Sequence, residues 1–194
     1  MPERPVYALG FTVGGICYFI AILYVYKHAY EPLNMTTITP FNRFLRVAQV
    51  FGALCPFFLA IQAILPLQSD IFDVQDGKGL LNAQSMIHQG SAVILFVLAI
   101  IHSYLVCHVL WKNPNNLLYH YSRYIKSTAL FFMALSFILS IGLHPASQFF
   151  GDNKMVTNNI GGISQWIFVF SMIFFFGSYS ADFYHARDFE VHNE

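Results

Sequence analysis

Charge is what this sequence has least of. Only 10% of its 194 residues are Asp, Glu, Lys or Arg, where a soluble globular domain carries roughly 25%. So few charges cannot cover a surface that mostly faces water. A water-soluble domain is therefore set aside in favour of a chain whose surface meets hydrocarbon. Ten basic residues cancel ten acidic ones, which leaves no basic stripe for nucleic acid. Cysteine is scarce too. Cys17, Cys55 and Cys107 each fall inside an apolar run, where they read as buried thiols, not as a disulfide framework or a metal site. The chain has no Gly-x-Ser-x-Gly, no phosphate loop and no Cys/His nucleophile pair, so no catalytic residue is assigned. No internal repeat and no charged midplane residue supports a transporter. Met1-Pro2-Glu3-Arg4 runs straight into an apolar segment, without the pattern of a cleavable leader.

What the chain does have is hydrophobic residues, 56%, with 18% aromatic. A bilayer core of about 30 Å needs about twenty helical residues. Five segments qualify, at about 7–26, 45–67, 84–111, 125–143 and 161–181. Lipid offers no partner for open backbone groups, so each must be a helix. The expected fold is all-α, a polytopic bundle of five transmembrane helices in a single domain, with 182–194 as a short tail. Pro56 predicts a kink in the second span. The 27–46 loop carries Lys27, Arg43 and Arg46, and the 112–126 loop carries Lys112, Arg123 and Lys126. With these loops and the tail in the cytoplasm, seven of the ten Lys and Arg are cytoplasmic, as the positive-inside rule favours. The N-terminus is then lumenal and the C-terminus cytoplasmic. The Asn34-Met35-Thr36 sequon would face the cytosol, where it cannot be glycosylated.

Polar residues within spans are the default functional candidates, because desolvation makes them costly. The third segment holds His88, Gln89, Ser91, His102, Ser103 and His108. His88 and His102 are fourteen residues apart, nearly four turns, and share a face. Two b-type haems would need matching histidines on a second helix, and elsewhere only His144 stands at a span end. A zinc site drawing on His88 and the loop residues Asp70, Asp73 and Asp76 lacks a His-x-x-x-His pair. No metal and no cofactor is expected. The simpler reading is that these side chains hydrogen-bond between helices, at on the order of 1 kcal/mol each. Gly10-x-x-x-Gly14 and Ala48-x-x-x-Gly52 give small faces for close packing, within one bundle more readily than between copies. Gln165 and Trp166, near the start of the last span, and Asp182 and Phe183, at its end, have two readings. They could be functional contacts; alternatively Trp166 is an interfacial anchor and Asp182 a solvated exit, which chemistry alone favours.

The order of motifs carries the reading further. "QWIFVFSMIFFFGSYSADF" in the last span, "MIHQGSAVILFVLAIIHSYL" in the third and "PERPVYALGFTVGG" at the start resemble the damage-regulated autophagy modulator (DRAM)/TMEM150 family. The superfamily also holds the post-GPI-attachment lipid-remodelling factor. Gln165 stands where that pattern has a glutamate, and His88 with Gly90 or Ser91 matches the opening of the third helix. Members have six spans, so the resemblance implies that the first helix is missing from this chain. It further implies a non-enzymatic modulator of autophagy in endolysosomal membranes. GPI-anchor lipid remodelling in the Golgi or ER is an alternative, as is a plasma-membrane scaffold for a phosphoinositide kinase. Membrane lipids and other membrane proteins are the implied partners. His88, Gln165, Trp166, Asp182 and Phe183 are the candidate functional positions.

Overall fold

A computed structural model describes residues 3–30, 40–65, 83–112, 120–149 and 154–184, with side chains for 8–28, 30, 43–65, 83–112, 121–141 and 159–184. The sequon at Asn34, the acidic loop at Asp70, Asp73 and Asp76, the side chain of His144 and the tail from His185 onward lie outside the described residues. Five long helices follow in order: α1 (Glu3–Val25), α2 (Pro40–Ile64), α3 (Ala83–Lys112), α4 (His120–Phe149) and α5 (Lys154–Gly177). A wider π turn, Tyr26–Tyr30, extends α1. After a turn at Ser178, helical backbone resumes over 179–184. No strand occurs among the described residues. All five helices are long and apolar enough to cross a membrane, so the chain is an all-α, multi-pass bundle.

Neighbours in sequence pack antiparallel. Gly15 and Ile22 of α1 meet Pro56 and Gly52 of α2. His102 of α3 meets Ala48 of α2, and Trp111 of α3 meets Ser127 of α4. α2 with α3, and α4 with α5, form the two most extensive pairs. α3 lies at the centre: half of its spanning window is buried, against 17–28% for the other four. Its inward face stacks Phe96 on Phe168 of α5, with ring centroids 4.0 Å apart. The outward faces are as apolar as the core, with Ile20, Phe57, Phe131, Ile138 and Phe174 exposed. In water this would be an error; in lipid it is the expected surface.

Sequence dictates two local features of α2. Pro56 lies inside the helix and removes the backbone bond to the Gly52 carbonyl. The Cys55 thiol donates to the Phe51 carbonyl one turn back. Cys55 and Cys107 are buried and free, but Cys17, expected to be buried, is exposed on α1. The difference arises because α1 is the least enclosed helix, so one of its faces has no protein neighbour.

The closest approach is at Gly52. A Cβ there would lie 2.6 Å from the His102 ring and 2.6 Å from Ile22 Cδ1. Gly52→Ala should therefore cost about 1–3 kcal/mol, the usual range for overpacking, measured by unfolding in mixed micelles. Gly90→Ala on α3, where a Cβ meets nothing within 4 Å, should leave the midpoint unchanged.

Candidate functional site

The polar residues converge at the end of the bundle where α1 runs out. The π turn brings Tyr26 and Tyr30 inward with their rings edge-to-face, 5.2 Å apart. On α4, Ser122 and Lys126 are one turn apart and share the inner face, and Lys126 Nζ donates to Ser122 Oγ at 2.5 Å. The break at Ser178, whose hydroxyl bonds back to the Phe175 carbonyl, sets the final turn that carries Tyr179 and Asp182.

Lys126 Nζ donates to Asp182 Oδ2 at 2.7 Å, and neither side chain has any exposed surface. The Tyr30 hydroxyl donates to the same oxygen at 2.5 Å. The ammonium also lies 4.7 Å from the centroid of the Tyr179 ring, within cation–π reach. Tyr30 is just beyond the spanning part of α1. Burial, and then the neighbouring carboxylate, push its phenol well above its ordinary pKa, so it stays a donor.

His102 extends the chain of contacts. Its Nδ1 lies 2.7 Å from the Ala48 carbonyl and its Nε2 lies 2.6 Å from the Tyr179 hydroxyl. A carbonyl only accepts, so Nδ1 carries the proton and Tyr179 donates to Nε2. One continuous set of contacts thus runs Ala48–His102–Tyr179–Lys126–Asp182–Tyr30 and ties together all five helices. Asp182 Oδ1 and the Tyr18 hydroxyl are buried without a hydrogen-bond partner among the described residues. Among the described residues no three His, Cys, Asp or Glu side chains gather as a metal site would require.

The expected site residues fall at both ends of the bundle. Asp182 is not a solvated exit: it is fully enclosed, because Lys126 and Tyr30 supply the charge and donor that make burial tolerable. Phe183 lies beside it, half-buried, with its ring 4.8 Å from that of Tyr24. His88 is near the far end, where Nδ1 donates to the Leu65 carbonyl at the end of α2, 2.6 Å away. Gln165 is exposed, and Trp166 is 59% exposed beside Phe170; both point away from the bundle. Gly10 and Gly14 face open space, with nothing within 4 Å of an added Cβ.

Nothing in the sequence groups Lys126 with His102, Tyr179 and Tyr30. Lys126 reads in the sequence as one more loop cation. Its signal is the Ser122-x-x-x-Lys126 spacing, which puts both polar groups on one helical face, inside a run with mean hydropathy high enough to span.

The family described as Frag1/DRAM/Sfk1/Cwh43P N-terminal domain matches residues 1–186. The chain belongs to that family. No curated protein and no solved structure matches it.

Removing one member of the enclosed ion pair leaves the other as an uncompensated buried charge. Lys126→Met and Asp182→Leu alone should each destabilise by about 3–5 kcal/mol, and the double variant should recover most of the loss. A double-mutant cycle in mixed micelles reads this directly. Additive losses would mean that the two groups do not interact.

Proposed function

We propose that this protein is a non-enzymatic modulator of autophagy in endolysosomal membranes. The observation that supports the non-enzymatic part is the enclosure of the titratable groups of this site. Lys126, Asp182 and His102 have no exposed surface, and each bonds to a neighbouring helix. A general acid or base must come within hydrogen-bond reach of its substrate, and these groups instead hold helices together. Membership of the Frag1/DRAM family supports the autophagy part, and the resemblance of the last span to the DRAM pattern favours that branch. Lys27, Arg43, Arg46 and Lys112 are exposed at helix ends on the Tyr30 side. Their clustering supports a cytoplasmic placement of that side and a lumenal N-terminus. In this reading the enclosed pair fixes the geometry of the end that presents Tyr24 and Phe183. His88, Gln165 and Trp166 act on the lumenal side.

The test is localisation of a C-terminally tagged chain against lysosomal, Golgi and plasma-membrane markers, paired with autophagic flux. A lysosomal or endosomal signal, and a flux change that is lost with Asp182→Leu and restored by adding Lys126→Met, is the expected result. A Golgi or ER signal with altered lipids on GPI-anchored proteins would replace this reading with lipid remodelling. A plasma-membrane signal that depends on the tail would replace it with a scaffold.

A further inference from the structure

An apolar crevice of about 630 Å³ opens between α1 and α5. Gly10, Gly14 and Cys17 line it from α1, Met172 and Phe176 from α5, and Leu95 of the central α3 lies at its back. The described contacts between α1 and α5 run from the Tyr18–Phe176 ring pair, 3.9 Å apart, to the Tyr30–Asp182 bond. At Gly10 and Gly14 an added Cβ would meet nothing within 4 Å. The crevice is thus a wedge bounded by those contacts at the Tyr30 end and lined by the two glycines at the other.

We infer that this wedge holds an acyl chain of a membrane diacyl lipid, drawn from the leaflet at the Gly10 end. Three observations select that occupant. First, the lining lies wholly within spanning segments and is almost entirely hydrocarbon, aromatic ring and thiol. Water would find too few partners to stay there. Second, the lining from Gly10 to Ala21 covers eleven helical steps, about 16 Å. That is about half of a ~30 Å hydrocarbon core, the depth to which the chains of one leaflet reach. Third, the volume of the crevice falls within the range of small-molecule pockets, roughly 300–1,000 Å³. Gly10 and Gly14 then have a role that helix packing does not give them. With no neighbour within 4 Å of an added Cβ, they keep the α1 wall low and leave room for the chain.

The full chain, reconstituted in phosphatidylcholine nanodiscs, would be tested with a trace of phosphatidylcholine carrying a diazirine on one acyl chain. Photolabelled residues would then be mapped by mass spectrometry. Label should concentrate on Cys17 and Met172 over the outward-facing Ile20 and Phe174. Gly14→Leu should lower the label at Cys17 and Met172 to the level at Ile20 and Phe174, because its side chain fills part of the crevice. Label spread evenly over the outward faces, or unchanged in a folded Gly14→Leu variant, overturns the inference. So does enrichment with diazirine-cholesterol alone, which would make the occupant a sterol. The wild-type map decides by itself if Gly14→Leu does not fold. A photoreactive phenylalanine analogue at Val169, which also lines the crevice from α5, should attach to lipid in cells, and attachment to a polypeptide overturns the inference in favour of a packed helix.

Discussion

An ammonium and a carboxylate sit side by side within the spanning helices, sealed from water. Isolated, either ion would be expelled or neutralised, since each costs several kcal/mol to desolvate. Together, and with the Tyr30 hydroxyl and the Tyr179 ring, they are tolerated. That tolerance is conditional on geometry, because α1, α4 and the end of α5 must all arrive at one point. Apolar packing in lipid gives helices little reason to prefer one neighbour to another, since lipid tails are as apolar as leucine. The enclosed pair supplies that missing preference and places α1 against α5.

The histidines of α3 do the same for α2. Two ring nitrogens donate to two carbonyls, at Leu65 and Ala48, and Gly52 permits the approach. The crowded side of the bundle is therefore the side where a side chain was given up. On another face of α1, Gly10 and Gly14 have nothing within 4 Å of an added Cβ.

The helices were legible in the sequence because twenty apolar residues in a charge-poor chain admit one structure in lipid. The face shared by His88 and His102 follows from helical periodicity alone, as does hydrogen bonding between helices. The ion pair was hidden for a specific reason. Lys126 and Asp182 both stand within a turn of a span boundary, where composition does not separate a solvated residue from an enclosed one. Their partnership crosses 56 residues of sequence, and local spacing carries no information over that distance. Cys17 was misplaced for a related reason, since an apolar run reveals that a helix is in lipid but not which face meets protein.

The two histidine anchors lie fourteen positions apart along α3 and seventeen along α2. A rod pinned near both ends can neither slide nor roll. Sliding by one turn would break both anchors at once, and rolling would drive Gly52 out of register with the His102 ring. α2 and α3 therefore behave as one stiff strut. α1 joins that strut where Gly15 and Ile22 meet Pro56 and Gly52, and Tyr30 fixes its end, which leaves Gly10 and Gly14 as its least crowded stretch.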